Sequence, residues 1–102
     1  MFRLLVCYET PADPQEFDRH YREVHIPLAM ALPGLRRYTV SREAIFVRGA
    51  NPYYLVAELD WDDRPALDAA FASPQGRATA ADVTAMAPTG VRSVTFELEP
   101  LL

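Results

Sequence analysis

Two segments of this chain, FRLLVCYE at 2–9 and YYLVAELDW at 53–61, carry apolar residues on both faces. Side chains of a strand alternate sides, so Phe2, Leu4, Val6 and Tyr8 share one face and Leu5 and Cys7 take the other. In the second segment Tyr53, Leu55, Ala57, Leu59 and Trp61 line one face; Tyr54, Val56, Glu58 and Asp60 line the other, which turns polar toward its end. Strands of this kind belong inside a sheet covered on two sides. A chain of 102 residues makes one domain. Such a domain buries roughly 60–65% of its unfolded surface, which leaves a thin core. Cys7 is the only cysteine, so no internal disulfide staples it. A second subunit is the expected cover for the other sheet face, in a homodimer with sheets packed face to face.

The remaining elements follow from punctuation. TPADP at 10–14 is a turn, and Asp13-Pro14 is a helix cap with proline at the first helical position. A helix is expected from Pro14 toward Leu32, with Phe17, Tyr21, Val24, Leu28 and Ala31 as its apolar stripe. Pro33-Gly34 ends it. Pro27 bends or breaks it near the middle, because proline has no N–H to donate to Glu23. Residues 35–47 read as a second strand, with Tyr38 and Val40 on one side. RGANP at 48–52 reads as a loop. Asp62 or Asp63 caps a second helical region, Ser73-Pro74 interrupts it, and it resumes from Gln75 to Met86. GVRSVTFELE at 90–99 is the last strand. Strand, helix, strand, strand, helix, strand is the α+β, ferredoxin-like βαββαβ order: a four-stranded antiparallel sheet with two helices on one face.

Charge and composition narrow the function classes. The formal net charge is −4, lysine is absent, and Arg36-Arg37 is the only adjacent basic pair. That pattern offers no footprint for nucleic acid. No apolar run is long enough to span a membrane. The N-terminal MFRLLVCYE lacks the apolar region and cleavage site of a secretory signal, so a reducing cytoplasm is the expected compartment. Glycine-rich phosphate loops and dinucleotide fingerprints are absent from the sequence, and no His/Cys/carboxylate set has metal-ligand spacing, so no cofactor is expected. Ser41, Ser73 and Ser93 lie in no nucleophile elbow.

The run YETPADPQEFDRHYREVHIPLAMALPGLRRYTV resembles the opening of the EthD family. The residues carrying the resemblance are Tyr8, Pro11, Phe17, Asp18, Tyr21, His25, Pro27, Leu28, Leu32, Pro33, Gly34 and Leu35. FASPQGRATAAD at 71–82 is similar to that family's second signature, a Ser-Pro-x-Gly turn before a helix with a late aspartate. The resemblance implies a dimeric α+β barrel. It also implies a setting in ether degradation or aromatic polyketide chemistry, without naming a reaction.

His25 is the leading candidate. It sits at the edge of the apolar stripe, where a neutral imidazole can act as general acid or base. The competing reading is structural: a ring nitrogen satisfies the carbonyl that Pro27 frees. Tyr21, one turn earlier, is the second catalytic candidate. Tyr38, Tyr54, Arg37 and Leu28 are assigned to substrate binding, against the plainer reading of core packing and surface ion pairs. The ligand they suit is an apolar or aromatic small molecule. His20, shifted toward the opposite edge of the stripe, is read as surface or packing, and five residues from His25 it is not placed as a paired metal ligand. Asp82 is expected to pair with Arg77 or Arg92, or to hold backbone donors. Trp61 is read as an interface or lid residue. Related dimeric barrels use a histidine as haem ligand, but no haem is assigned. Two functions fit: a cofactor-independent enzyme moving a proton with His25, or a protein that binds an apolar metabolite beside a partner oxygenase.

Overall fold

The computed structural model describes residues 1–49 and 53–102. Strand β1 (Phe2–Glu9) leads to helix α1 (Pro14–His20), a π-helical turn (Tyr21–His25) and helix α2 (Ile26–Met30). Strands β2 (Arg37–Val40) and β3 (Tyr53–Trp61), helices α3 (Arg64–Ala72) and α4 (Pro74–Met86), and strand β4 (Val91–Glu97) complete it. The sheet is antiparallel throughout, in the order β2-β3-β1-β4. This is the ferredoxin-like order, with β1 central as its two-sided apolar pattern requires.

Register sets the core. Leu4 faces Leu59 and Val6 faces Ala57, so one sheet face presents Val6, Tyr8, Leu55, Ala57, Leu59 and Trp61. Phe17, Tyr21, Ala29 and Leu32 from the first helical region and Leu67 and Ala70 from α3 pack on that face. The caps form where expected: Asp13 accepts from Glu16 N–H, and Asp63 from Ala66 N–H. Ser73 ends α3 and starts α4, accepting from Gly76 N–H. Gly76 is close against α3: a Cβ there would overlap the Ala70 carbonyl oxygen and Phe71 Cα. Trp61 is fully buried, donates Nε1–H to the Pro33 carbonyl at 2.9 Å and packs on Phe71. It is a core residue, not the interface or lid residue expected.

Three other expectations are corrected. The helix expected from 14 to 32 is not one regular α-helix. Ile26 N–H reaches back five residues to the Tyr21 carbonyl, so the helix widens into a π turn just before the proline. Pro27 then sits in the first turn of α2, where a missing N–H costs nothing. The extra residue in the turn rotates the stripe: Phe17, Tyr21, His25, Ala29 and Leu32 are buried, while Val24 and Ala31 are exposed. The strand expected over 35–47 ends at Val40. Ser41 still donates to Val56, but Glu43 adopts a φ of +58° and turns the chain off the sheet. Of the expected loop at 48–52, residues 50–52 lie outside the described part.

The opposite sheet face carries Leu5, Cys7, Val56, Val94 and Phe96 around a buried ion pair. In that pair Arg3 Nε and Nη2 donate to the two oxygens of Asp60 at 2.8 and 3.0 Å. No described helix is long and apolar enough to cross a membrane.

Candidate functional site

The π turn decides what the site contains. Five residues of α-helix would separate His20 and His25 by about 140°. The wider turn brings them back to one side, and both meet Asp82 on α4. Asp82 Oδ2 lies 2.8 Å from His25 Nδ1, and Asp82 Oδ1 lies 2.8 Å from His20 Nε2. A carboxylate only accepts, so each imidazole donates an N–H to it. His25 is therefore not the partner of a carbonyl freed by Pro27. His20 is not a bystander. Asp82 does not pair with Arg77, whose guanidinium donates to the Ala72 carbonyl. The sequence offered one clue, the late aspartate of the second signature, but no spacing rule links it to histidines 57 and 62 residues earlier.

His25 is 4% exposed. With Nδ1 committed to Asp82, its Nε2 makes no hydrogen bond among the described residues. Nor is it a sealed orphan, because none of their fully buried side-chain nitrogens or oxygens lacks a partner. His25 lines a cavity of about 50 Å³ between the sheet and α4, with Tyr8, Tyr21, Tyr38, Phe71, Thr79 and Val83 among its walls. Burial pushes the His25 pKa down; the hydrogen bond and charge of Asp82 pull it partly back, and His20 opposes it. The result is a neutral imidazole with its lone pair on Nε2.

Tyrosines surround it. The Tyr21 and Tyr38 hydroxyls share a 2.6 Å hydrogen bond, and the Tyr21 ring lies 5.1 Å from the His25 ring. Tyr8 meets Tyr21 edge-on at 5.9 Å. Burial pushes all three phenols up, so each stays a neutral donor. Tyr54 stands farther out, donating to the Asp18 carboxylate at 2.9 Å and meeting Phe17 edge-on. The structure thus gathers His25, Tyr21 and Tyr38, with Tyr54 at the rim. Arg37 and Leu28 are not among them. Arg37 precedes Tyr38 on a strand and points to the opposite sheet face, and Leu28 is half-buried outside the cavity wall.

The cavity has room for a water or a diatomic molecule, whereas small-molecule sites usually exceed about 300 Å³. A larger cleft of about 450 Å³ lies on the other side of Tyr21, lined by Tyr53, Tyr54, Ile45, Leu55, Arg22 and Asp18 among others. Tyr21 is the residue common to both walls. Among the described residues no three His, Cys, Asp or Glu side chains converge as metal ligands.

Comparison with known proteins adds three relatives and a family. A model described as the EthD domain matches residues 9–89. An uncharacterised 11.0 kDa protein from the thcB–thcC intergenic region of Rhodococcus erythropolis is 33% identical over 102 residues, covering 100% of this chain and 99% of its own. The crystal structure of an EthD family protein from Bacillus halodurans is 33% identical, with a TM-score of 0.89 over 97% of this chain and 99% of that one. A cofactor-independent oxygenase from Streptomyces nogalater is 22% identical, with a TM-score of 0.66 over 99% and 95%; at that distance the likeness is one of fold.

The buried histidine has a consequence for stability. An unfolded histidine takes up its proton near pH 6.5, but the folded His25 does so only at lower pH. Between those values the unfolded chain holds more protons, so acid destabilises the fold. The urea midpoint of the wild type is expected to fall from about pH 7 to about pH 5, and that of H25Q to fall less. Equal slopes in the two proteins would show that His25 is not buried neutral.

Proposed function

This chain belongs to the EthD family, and on that footing we propose that it is a small cofactor-independent enzyme in which His25 moves a proton on an apolar carbonyl or phenolic substrate. The observation that supports this is the Asp82–His25 pair, with its Nδ1–H held by a carboxylate and Nε2 left open. In the proposed step a C–H beside a carbonyl gives its proton to Nε2. The bonding pair stays on the substrate as an enolate, and the enolate oxygen accepts a hydrogen bond from Tyr21 or Tyr38. Asp82 holds the imidazolium that forms. Isomerisation, cyclisation, dehydration or addition of dioxygen can follow from such an enolate. The oxygenase activity of the Streptomyces relative fits this class of chemistry.

The substrate body occupies the larger cleft beside Tyr53 and Tyr54, because the cavity at His25 has no room for a ring. A non-catalytic reading draws on the same cleft, which needs no histidine to hold an apolar metabolite beside a partner oxygenase.

Deuterium exchange tests the proton step without requiring the later chemistry. Wild-type protein in D2O is expected to accelerate exchange of the acidic C–H of at least one member of a panel of aromatic ketones. H25Q is expected to lose roughly 10²–10⁴-fold of that acceleration. Compounds that bind but exchange no faster, or exchange unaltered in H25Q, would favour the binding reading.

The exposed sheet face completes the proposal. Val94 is 45% and Phe96 38% exposed there, beside Leu5 and Val56. A second copy packed sheet to sheet would cover them. Light scattering is expected to give a dimer for the wild type and a folded monomer for F96E; a monomeric wild type would contradict this.

A further inference from the structure

We infer that His20 is a positioning residue for His25, acting through the carboxylate the two rings share. The inference rests on the reading of His25 as the proton carrier. Each Asp82 oxygen is committed to one ring: Oδ1 to His20 Nε2 and Oδ2 to His25 Nδ1, both at 2.8 Å. Two donors on two oxygens stop the carboxylate from rotating, which fixes the plane and tautomer of His25. One carboxylate also compensates only one imidazolium, so a proton on either ring opposes a proton on the other.

The rings differ in access. The His25 side chain is 5% exposed and that of His20 is 26% exposed. His20 lines a separate, open cleft of about 750 Å³ between the start of α1 and the loop after α4. Glu9 from β1 and Asp13 and Glu16 from the start of α1 share that cleft. Glu16 is already engaged by Arg19, which also holds Glu23. Around His25 the titratable neighbours are the neutral phenols Tyr8, Tyr21 and Tyr38, with Arg22 the cation acting on the last two. Among these groups Asp82 is the carboxylate that bonds either ring. His20 is therefore the ring of the pair that solvent touches. A charge on His20 draws on Asp82 and makes His25 a weaker base. His20 thus links the acidity of the surface cleft to the cavity.

Nitrogen-detected NMR titration of the histidines tests this. H20Q places an amide N–H where Nε2 stood, keeping the donor to Asp82 while removing the charge. The His25 midpoint in H20Q is expected to rise by about 0.5 pH or more over wild type. The downfield Nδ1 proton of His25 is expected to broaden in H20A, which offers no donor, and to sharpen again in H20Q. An unchanged His25 midpoint in H20Q, or an Nδ1 proton as sharp in H20A as in wild type, overturns the inference. Neither reading depends on turnover. A raised midpoint without substrate exchange upholds the coupling and removes the proton-transfer reading; exchange without a raised midpoint does the reverse.

Discussion

Asp82 joins the two halves of the fold. Its carboxylate ties α4 to His20 at the end of α1 and to His25 in the π turn, each at 2.8 Å. A buried imidazole N–H left without that acceptor would cost about 1–3 kcal/mol. With it, His25 stays in an apolar wall, neutral, in one tautomer. The π turn and the aspartate are interdependent. An unbroken α-helix would swing His20 away from His25, and without α4 neither ring would have a buried acceptor.

The strands and caps were legible because they depend on local chemistry. The two-sided apolar pattern of 2–9 and 53–61 placed β1 and β3 inside the sheet, and Asp13, Asp63 and Ser73 marked their helices. Pro27 announced a disturbance but not its form. A kink, a break and a π turn all relieve the same missing N–H, and only the π turn rotates the buried stripe from Val24 onto His25. β2 ended early because Glu43, with neither glycine nor asparagine to signal it, takes a left-handed φ. His25, Tyr21 and Tyr38 were recognisable as candidates. Asp82 and His20 were not, because their roles come from contacts across more than fifty residues.

The proposed proton transfer asks for few polar groups. Enolate chemistry needs a base of suitable strength, a donor for the developing oxyanion and protection from water. On that proposal the base would be His25, oriented by the Asp82 carboxylate, the donors would be phenols that burial keeps protonated, and the wall would be the sheet. The 50 Å³ cavity and the 450 Å³ cleft meet at Tyr21, which makes that ring both a wall and a donor. Belonging to the EthD family supplies the fold but names no reaction, so the proposed chemistry rests on these side chains.

His25 is held through Nδ1 with Nε2 open. The ¹⁵N shifts of the two His25 ring nitrogens at neutral pH test it most directly. A protonated Nδ1 beside an unprotonated Nε2 is the predicted result. A proton on Nε2 with a bare Nδ1, or a fully charged ring, would show that Asp82 does not hold His25 as a neutral Nδ1–H tautomer.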